Sequence, residues 1–297
     1  MPDISEKKPI NNRYEFTILF DVENGNPNGD PDADNMPRVD VDTNIGLVTD
    51  VCIKRKIRNY VQMNYDSKDG YDIYINRLGT LNSKDEKALT ALETDKINKN
   101  DKEAFVINYM CSHYFDIRTF GAVMTTFTQN DKKIPGNAGQ LTGPVQLTFA
   151  KSINEVYPQN ITITRVAITA EKDANKKTEM GNKWIIPYGL YRMDGYISAN
   201  LAQKTGFNDA DLEVLWTSIM NMFEEDHSAA RGNMVVRKLI IFKHESKNGN
   251  APSHKLFEKI VIHKKETVES PRSFNDYIVS VPSNEELPEG VSVEVRD

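Results

Sequence analysis

Cysteine is nearly absent, no apolar run is long, and positive charge is in deficit; each shortage closes off a class of protein. The two cysteines, Cys52 and Cys111, cannot form a disulfide framework, and both fall in stretches that read as helices, where a reduced thiol packs as a small apolar group. No CxxC pair occurs and His113, His227, His244, His254 and His263 make no HExxH pair, so zinc chemistry lacks its usual ligand spacing. GxxxxGK[ST], GxGxxG and GxSxG are missing too, which removes the customary marks of nucleotide hydrolysis and serine-hydrolase chemistry. No apolar run approaches membrane-spanning length, and the opening MPDISEKKPINN lacks the apolar core of a signal peptide, so the expectation is a cytoplasmic protein with no membrane partner. Lys and Arg number 37 against 43 Asp and Glu, a formal net charge of -6. A sequence-blind nucleic-acid coat carries a broad cationic surplus, so any nucleic acid must sit in a confined basic groove.

What is present is enough to fold. At 297 residues and 39% hydrophobic content the chain can bury a sizeable core, and no internal repeat or Pro-rich linker divides it, so residues 1–297 are expected to form one domain with insertions. Residues 13–22, RYEFTILFDV, read as a first strand from their β-branched and aromatic content. Thr49 can cap a helix in which Ile53, Ile57, Tyr60 and Val61 follow core spacing. The polar stretch 64–100, with a short helix at Lys84–Thr94, and a buried helix at 102–115 read together as a helical insertion over 64–115. The polar EKDANKKTEMGNK lies between the β-like ITITRVAI and WIIPYGLYRMDGYIS, which predicts a protruding hairpin. A further helix opens at Asn208, with Leu212, Leu215, Trp216, Ile219 and Phe223 on one face. The order suits an α+β fold, a sheet with helices on one face, for which an RNA-recognition-motif-like (ferredoxin-like) topology is one arrangement. The aromatic RNP1 pattern is absent, so stacking of bases on sheet aromatics is not expected.

The segment FDVENGNPNGDPDADNMPR, residues 20–38, carries most of the functional signal. A β-rich run stops in Asn, Gly, Asp and Pro, residue types that turn backbone N–H groups toward an anion, here around Asn26, Asn28 and Gly29. Arg38 closes the loop, and the helix beyond it is crowded with Lys54, Arg55, Lys56 and Arg58; together they suit a phosphate-bearing partner. Two readings compete. Asp30, Asp32 and Asp34 have the alternate spacing that opens a calcium loop, but its sixth position would be Asn35 where Gly is needed and its twelfth Val41 where Glu is needed. The other is a plain solvated acidic loop. No metal, cofactor or catalytic residue is assigned. Arg231 and Lys238 offer a second phosphate contact if the strand carrying Lys238 pairs beside the first. Arg118 and Met124, in a second loop-rich stretch, join the candidates, and Met180, near the hairpin tip, is placed to wedge between bases.

The run FDVENGNPNGDPDADNMPRVD with GLVTDVCIKRKIRNYV, then FDIRTFGAVMTTF, GPVQLTFA, ITRVAIT, MGNKWIIPYGLYRMDGYISA and HSAARG, closely resembles the backbone subunit of subtype I-C Cascade, the Cas-seven family, Csd branch. The likeness follows the chain in order nearly throughout. It implies a modified RNA-recognition-motif palm, helical fingers and a β-hairpin thumb at 155–185, with protomers stacked head to tail along a CRISPR RNA. In related subunits the loop and first helix grip phosphates, which falls here on Arg38, Lys54, Arg55 and Arg58; Arg165 lies at the thumb's base. The resemblance implies a non-catalytic protomer that presents the guide to target DNA in antiviral defence. Its partners would be copies of itself, the end-capping Cas-five subunit, a large Cas-eight type subunit and a recruited helicase-nuclease. Type III relatives cut RNA with an aspartate in a comparable loop, so the alternative is a metal-assisted ribonuclease acting through Asp30, Asp32 or Asp34.

Overall fold

Tyr14–Gly25 (β1) is buried on both faces over its first nine residues, and that decides the architecture around it. A computed structural model describes residues 8–95, 101–124, 128–129, 132–133, 139–167 and 179–297. The chain continues with β2 (Ile45–Val48), α1 (Asp50–Tyr65), α2 (Leu81–Thr94), α3 (Lys102–His113) and α4 (Phe115–Phe120). Strands β3 (Val145–Leu147), β4 (Ala150–Glu155), β5 (Gln159–Arg165) and the long β6 (Glu179–Ile197) follow, then α5 (Ala199–Thr205), α6 (Asp209–Asn221) and β7 (Asn233–His244). The last elements are α7 (Ser253–Phe257), β8 (Val261–Lys264), β9 (Tyr277–Ser280) and β10 (Val291–Arg296).

The main sheet runs β10-β7-β1-β6-β4-β2, with β3 and β5 also paired to β6, and every pairing is antiparallel. Its four central strands therefore stand in the order fourth, first, third, second. Alternation along β1 sends Phe16, Ile18, Phe20 and Val22 to one face, where they meet Ile53, Ile57 and Val61 of α1 and Leu212, Leu215, Trp216 and Ile219 of α6. Trp216 lies edge-on to Phe16 with ring centroids 5.0 Å apart. Each such fully buried side chain contributes roughly 1.5–3 kcal/mol, which is why α1 and α6 lie where they do. Caps set where both helices begin. Thr49 Oγ1 accepts from the Cys52 amide, and Asn208 with Asp211 forms a reciprocal capping box.

The opposite face of the sheet is covered as well. Leu19, Leu190, Ile240 and Phe242 pack beneath Leu256, Ile260 and Tyr277 from α7 and the β8–β9 hairpin. The helices of the main crossovers thus share one face, as expected, while the C-terminal segment closes the other. Polar residues of β1 on this side are matched internally. Thr17 donates to Asp194 at 2.6 Å, Asp21 accepts from Tyr188 and Arg237, and Glu15 meets His244 at 2.5 Å. The His244 Nδ1 accepts from the Asn250 amide, so its Nε2 carries the proton shared with Glu15.

Helices α2 and α3 form a second small core with Tyr74, Leu89, Leu92, Val106, Met110 and Met124. Helix α2 starts three residues earlier than the expected Lys84, because Thr80 caps it through the Ser83 amide. Strand β5 pairs with the first half of β6 from Gln159↔Ile185 to Arg165↔Glu179, making a two-stranded ribbon. Its tip, 168–178, and the side chain of Arg165 lie outside the described residues. No helix of the described residues is long and apolar enough to cross a membrane.

Candidate functional site

The loop after β1 is held in shape mainly by its own polar groups. The Asn26 amide donates to Ala230 O, the Asn35 amide to Asp30 O, the Arg38 amide to Asn28 O, and the Asp32 amide to Asp30 Oδ1. Of the three positions the sequence offered to an anion, Asn26 thus turns its backbone N–H into the chain. These bonds fix the loop's path, with Asp34 and Asn35 at φ of 50° and 58°. Asn28 Oδ1 accepts from both the amide and the hydroxyl of Thr49, at 3.0 Å each, and so anchors the loop to the start of α1. A Cβ at Gly29 would stand 2.0 Å from Asn35 Oδ1, so only glycine lets the two limbs of the loop close. A Cβ at Gly25 would stand 1.9 Å from Arg231 O, and this close approach seats the Arg231 loop beside the first.

Between loop, α1 and the Arg231 loop runs a groove of about 960 Å³. Seven cations line it: Arg38, Lys54, Arg55, Lys56, Arg58, Arg77 and Arg231. The one acid among its lining residues is Asp226, which receives both Lys56 and Arg231. Arg38 pairs with Asp30 at 3.1 Å and Lys54 with Asp50 at 2.9 Å. Arg55 and Arg77 are exposed and have no ion-pair partner among the described residues. The Arg38–Asp30 pair, with about a third of each side chain exposed, is worth little in water, so a phosphate can replace that carboxylate at small cost. Cys52 also lines the groove, and burial pushes its thiol upward despite nearby Lys56 and Arg231, which keeps it protonated and unreactive.

The candidates do not all reach this place. Asn26, Asn28, Gly29, Arg38, Lys54 and Arg55 line the groove, as does Arg231. Arg58 lines it too, but its guanidinium is committed to Asp116 at 2.7 Å, a carboxylate with 0% exposure. Asp116 also accepts from the Tyr74 and Ile75 amides, so the pair pins residues 75–77 against α1 and brings Arg77 to the groove. Arg58 thus positions the site from beneath. Arg118 was expected at the interface and is instead buried between Asp211, Cys111 O and Gly70 O. Its pairing with Asp211 outweighs burial and raises its pKa further, so it is permanently charged and permanently matched. Met124, 1% exposed, belongs to the α2–α3 core and cannot touch a ligand.

Lys238 is the third correction. β7 does pair beside β1, but Lys238 stands opposite Leu19, on the face closed by the C-terminal segment, and bonds Asp297 at 2.5 Å. Met180 is 75% exposed on the ribbon, opposite Thr164 and just after the undescribed tip. Asp30 serves its own loop through Arg38 and the Asp32 amide, and the described residues contain no cluster of three or more His, Cys, Asp or Glu able to hold a metal. Arg77 and Lys56 are the groove residues that sequence reasoning left out. Arg77 had no local signal, since it arrives through Asp116, whereas Lys56 sat within the basic run already noted.

The family model described as CRISPR-associated protein Cas7 matches residues 12–282. A relative from Haloferax volcanii described as "CRISPR-associated protein Cas7" is 28% identical over 301 residues, which covers 95% of this chain and 84% of that protein. Among solved structures, a chain of one titled "CRISPR RNA-guided surveillance complex" matches with a TM-score of 0.49 at 11% identity, covering 86% of this chain and 78% of that one. A chain of the "Type III-B Cmr-beta bound to cognate target RNA" matches with a TM-score of 0.42 at 11% identity, over 80% of this chain and 62% of that one.

Proposed function

The chain belongs to the CRISPR-associated Cas7 family, and from that premise we propose that it is a non-catalytic protomer that polymerises along a CRISPR guide RNA and presents it to target DNA. The observation that carries this is the groove: seven cations gathered in one place on a chain of net charge -6. A single strand of phosphates suits it, because the cations lie along one helix and three loops in place of spreading over the surface. The reading extends to subtype I-C Cascade, on the ordered motifs from residue 20 to residue 232. It also takes the central sheet as a modified RNA-recognition-motif palm, a description favoured by the strand order fourth, first, third, second. In this reading α2 and α3 are the fingers and the ribbon over 155–185 is the thumb, with Met180 toward the bases; Arg165, opposite Glu179, stands at the far end of the ribbon and not at its base.

Base pairing reads the target in such a particle, while the protein holds backbone and shape. No chemical step is needed, and Asp30 is occupied in shaping its loop. Neighbouring copies, the end-capping and large subunits and a helicase-nuclease would be the partners, in the prokaryotic cytoplasm. The test is co-expression with a guide locus. Wild-type protein is expected to co-purify with protected RNA of uniform length and to elute as a large assembly. Reversal of Arg55 and Arg77 to Glu should abolish both and leave the unfolding midpoint in place. Monomeric, RNA-free wild-type protein contradicts the proposal. Site-specific cleavage of complementary RNA in Mg²⁺, lost on Asp30→Ala, would replace it with the ribonuclease alternative.

A further inference from the structure

Phosphate contacts cannot tell RNA from DNA, because both polymers carry the same anion. What differs along every nucleotide is the 2′-hydroxyl, a donor as well as an acceptor. The groove's cations are donors only and have nothing to offer that proton. One buried acceptor does. Asn26 is 7% exposed, lines the groove, and its Oδ1 has no hydrogen-bond partner. Its orientation is fixed, because Nδ2 donates to Asn35 O at 2.7 Å and a flipped amide would set oxygen against oxygen. Asn28 Oδ1 is taken by Thr49, Asn76 Oδ1 by Lys84 and the Leu78 amide, and Asp226 by Lys56 and Arg231, while Asn35 and Asn59 are exposed to water. Among the described residues Asn26 Oδ1 is the sole buried side-chain acceptor lining the groove without a partner.

A buried unmet acceptor costs roughly 1–3 kcal/mol, so its persistence at a binding surface points to a ligand that completes it. Arg38 supplies the matching unmet donor. Its Nε has no partner, while its Nη1 holds Asp30 at 3.1 Å in a half-exposed pair that a phosphate can exchange. Acceptor and donor flank the Asp30–Asn35 turn, on two limbs joined by the Arg38 amide bond to Asn28 O. One limb thus carries the acceptor and the other the donor that a ribose-phosphate unit calls for. Resting on the reading of the groove as the guide-RNA site, we propose that Asn26 is a sugar-discriminating residue, its Oδ1 accepting from a ribose 2′-hydroxyl while Arg38 takes the adjoining phosphate. The hydroxyl is present whatever the base, so the contact selects RNA without selecting sequence. Neither orphan atom is open to solvent, so engagement requires side chains of the loop to move aside.

The experiment assembles purified protein on one guide-length strand made as RNA, as 2′-fluoro RNA and as DNA. The 2′-fluoro strand keeps the sugar pucker of RNA and lacks the donor. Wild-type protein should bind RNA roughly three- to tenfold tighter per protomer than 2′-fluoro RNA, the worth of one hydrogen bond. Asn26→Ala should lose that same factor on RNA and nothing on the 2′-fluoro strand. Equal affinity of wild-type protein for RNA and 2′-fluoro RNA overturns the assignment and leaves the proposed function standing. An equal loss on both strands in Asn26→Ala overturns it as well, since Asn26 would then only shape the loop. Failure of wild-type protein to bind RNA at all would remove the proposed function, and the assignment with it.

Discussion

Arginine meets aspartate in two neighbouring places, with opposite outcomes. At the junction of α4 with α1 and α6, Arg58 pairs with Asp116 and Arg118 with Asp211, and both carboxylates are fully buried. Both ion pairs have further partners: Asp116 accepts from two backbone amides besides Arg58, and Arg118 donates to two carbonyls besides Asp211. In the groove only Lys56 with Asp226 is comparably buried, and the other pairs are looser. Arg38 and Asp30 keep about a third of their side-chain surface, Arg231 keeps 41%, and Arg55 and Arg77 have no ion-pair partner among the described residues. The junction is closed by its own chain, whereas the groove is left in need of an anion. A cation in a sequence is therefore evidence of a site only once its carboxylate is known.

The contrast should break most visibly at Arg118. Arg118→Ala leaves Asp211 charged and buried, and should cost about 3–5 kcal/mol in chemical denaturation. RNA retention should fall only as far as the folded fraction does. A stable Arg118→Ala protein that fails to hold RNA would put Arg118 back at the interface. The next effect is in the groove. Arg55→Glu with Arg77→Glu should leave the unfolding midpoint unchanged and flatten the salt dependence of RNA binding, by a slope of about 0.7 for each phosphate the variant no longer neutralises.

Much of this frame was legible because its signals are local. The Thr49 cap, the Asn208–Asp211 box, the core spacing of α1 and α6 and the polar turn between β5 and β6 all lie within a few residues of what they specify. The loop at 26–38 was found for the same reason, though the Asn26 amide proved to turn into the chain. What escaped is long-range. Arg58 and Arg118 look like surface cations until Asp116 and Asp211 are folded against them, 58 and 93 residues away in sequence. Arg77 enters the groove only because Asp116 holds the segment before it. Lys238 follows a register shift between Leu19 and Phe20, and such a bulge resets which face each later cation takes.

Smaller effects sharpen the comparison further. The closed face of the sheet repeats the junction's logic at Glu15: burial raises its pKa, but the hydrogen bonds from His244 and Ser253 and the charge of Arg13 overcome this and hold it below the ordinary 4.5. A depressed carboxylate stabilises the fold above its unfolded value and loses that contribution as pH falls through the lower folded value. Unfolding free energy should therefore decline below about pH 4.5 more steeply in wild-type protein than in Glu15→Gln. The mildest change in RNA binding is expected at Asp226. Asp226→Asn frees the exposed Arg231 and should raise the low-salt RNA affinity of the folded protein a few-fold, an effect that fades as salt screens it, while buried Lys56, left without its carboxylate, lowers the unfolding midpoint.

The central claim is that guide RNA lies in the groove and not across the sheet. Ultraviolet cross-linking of the guide-bound assembly, read by mass spectrometry, tests it directly. Cross-links should concentrate on peptides spanning 26–38, 51–59, 75–77 and 226–231. Cross-links on 256–280, over the closed face of the sheet, with none in the groove, would contradict it.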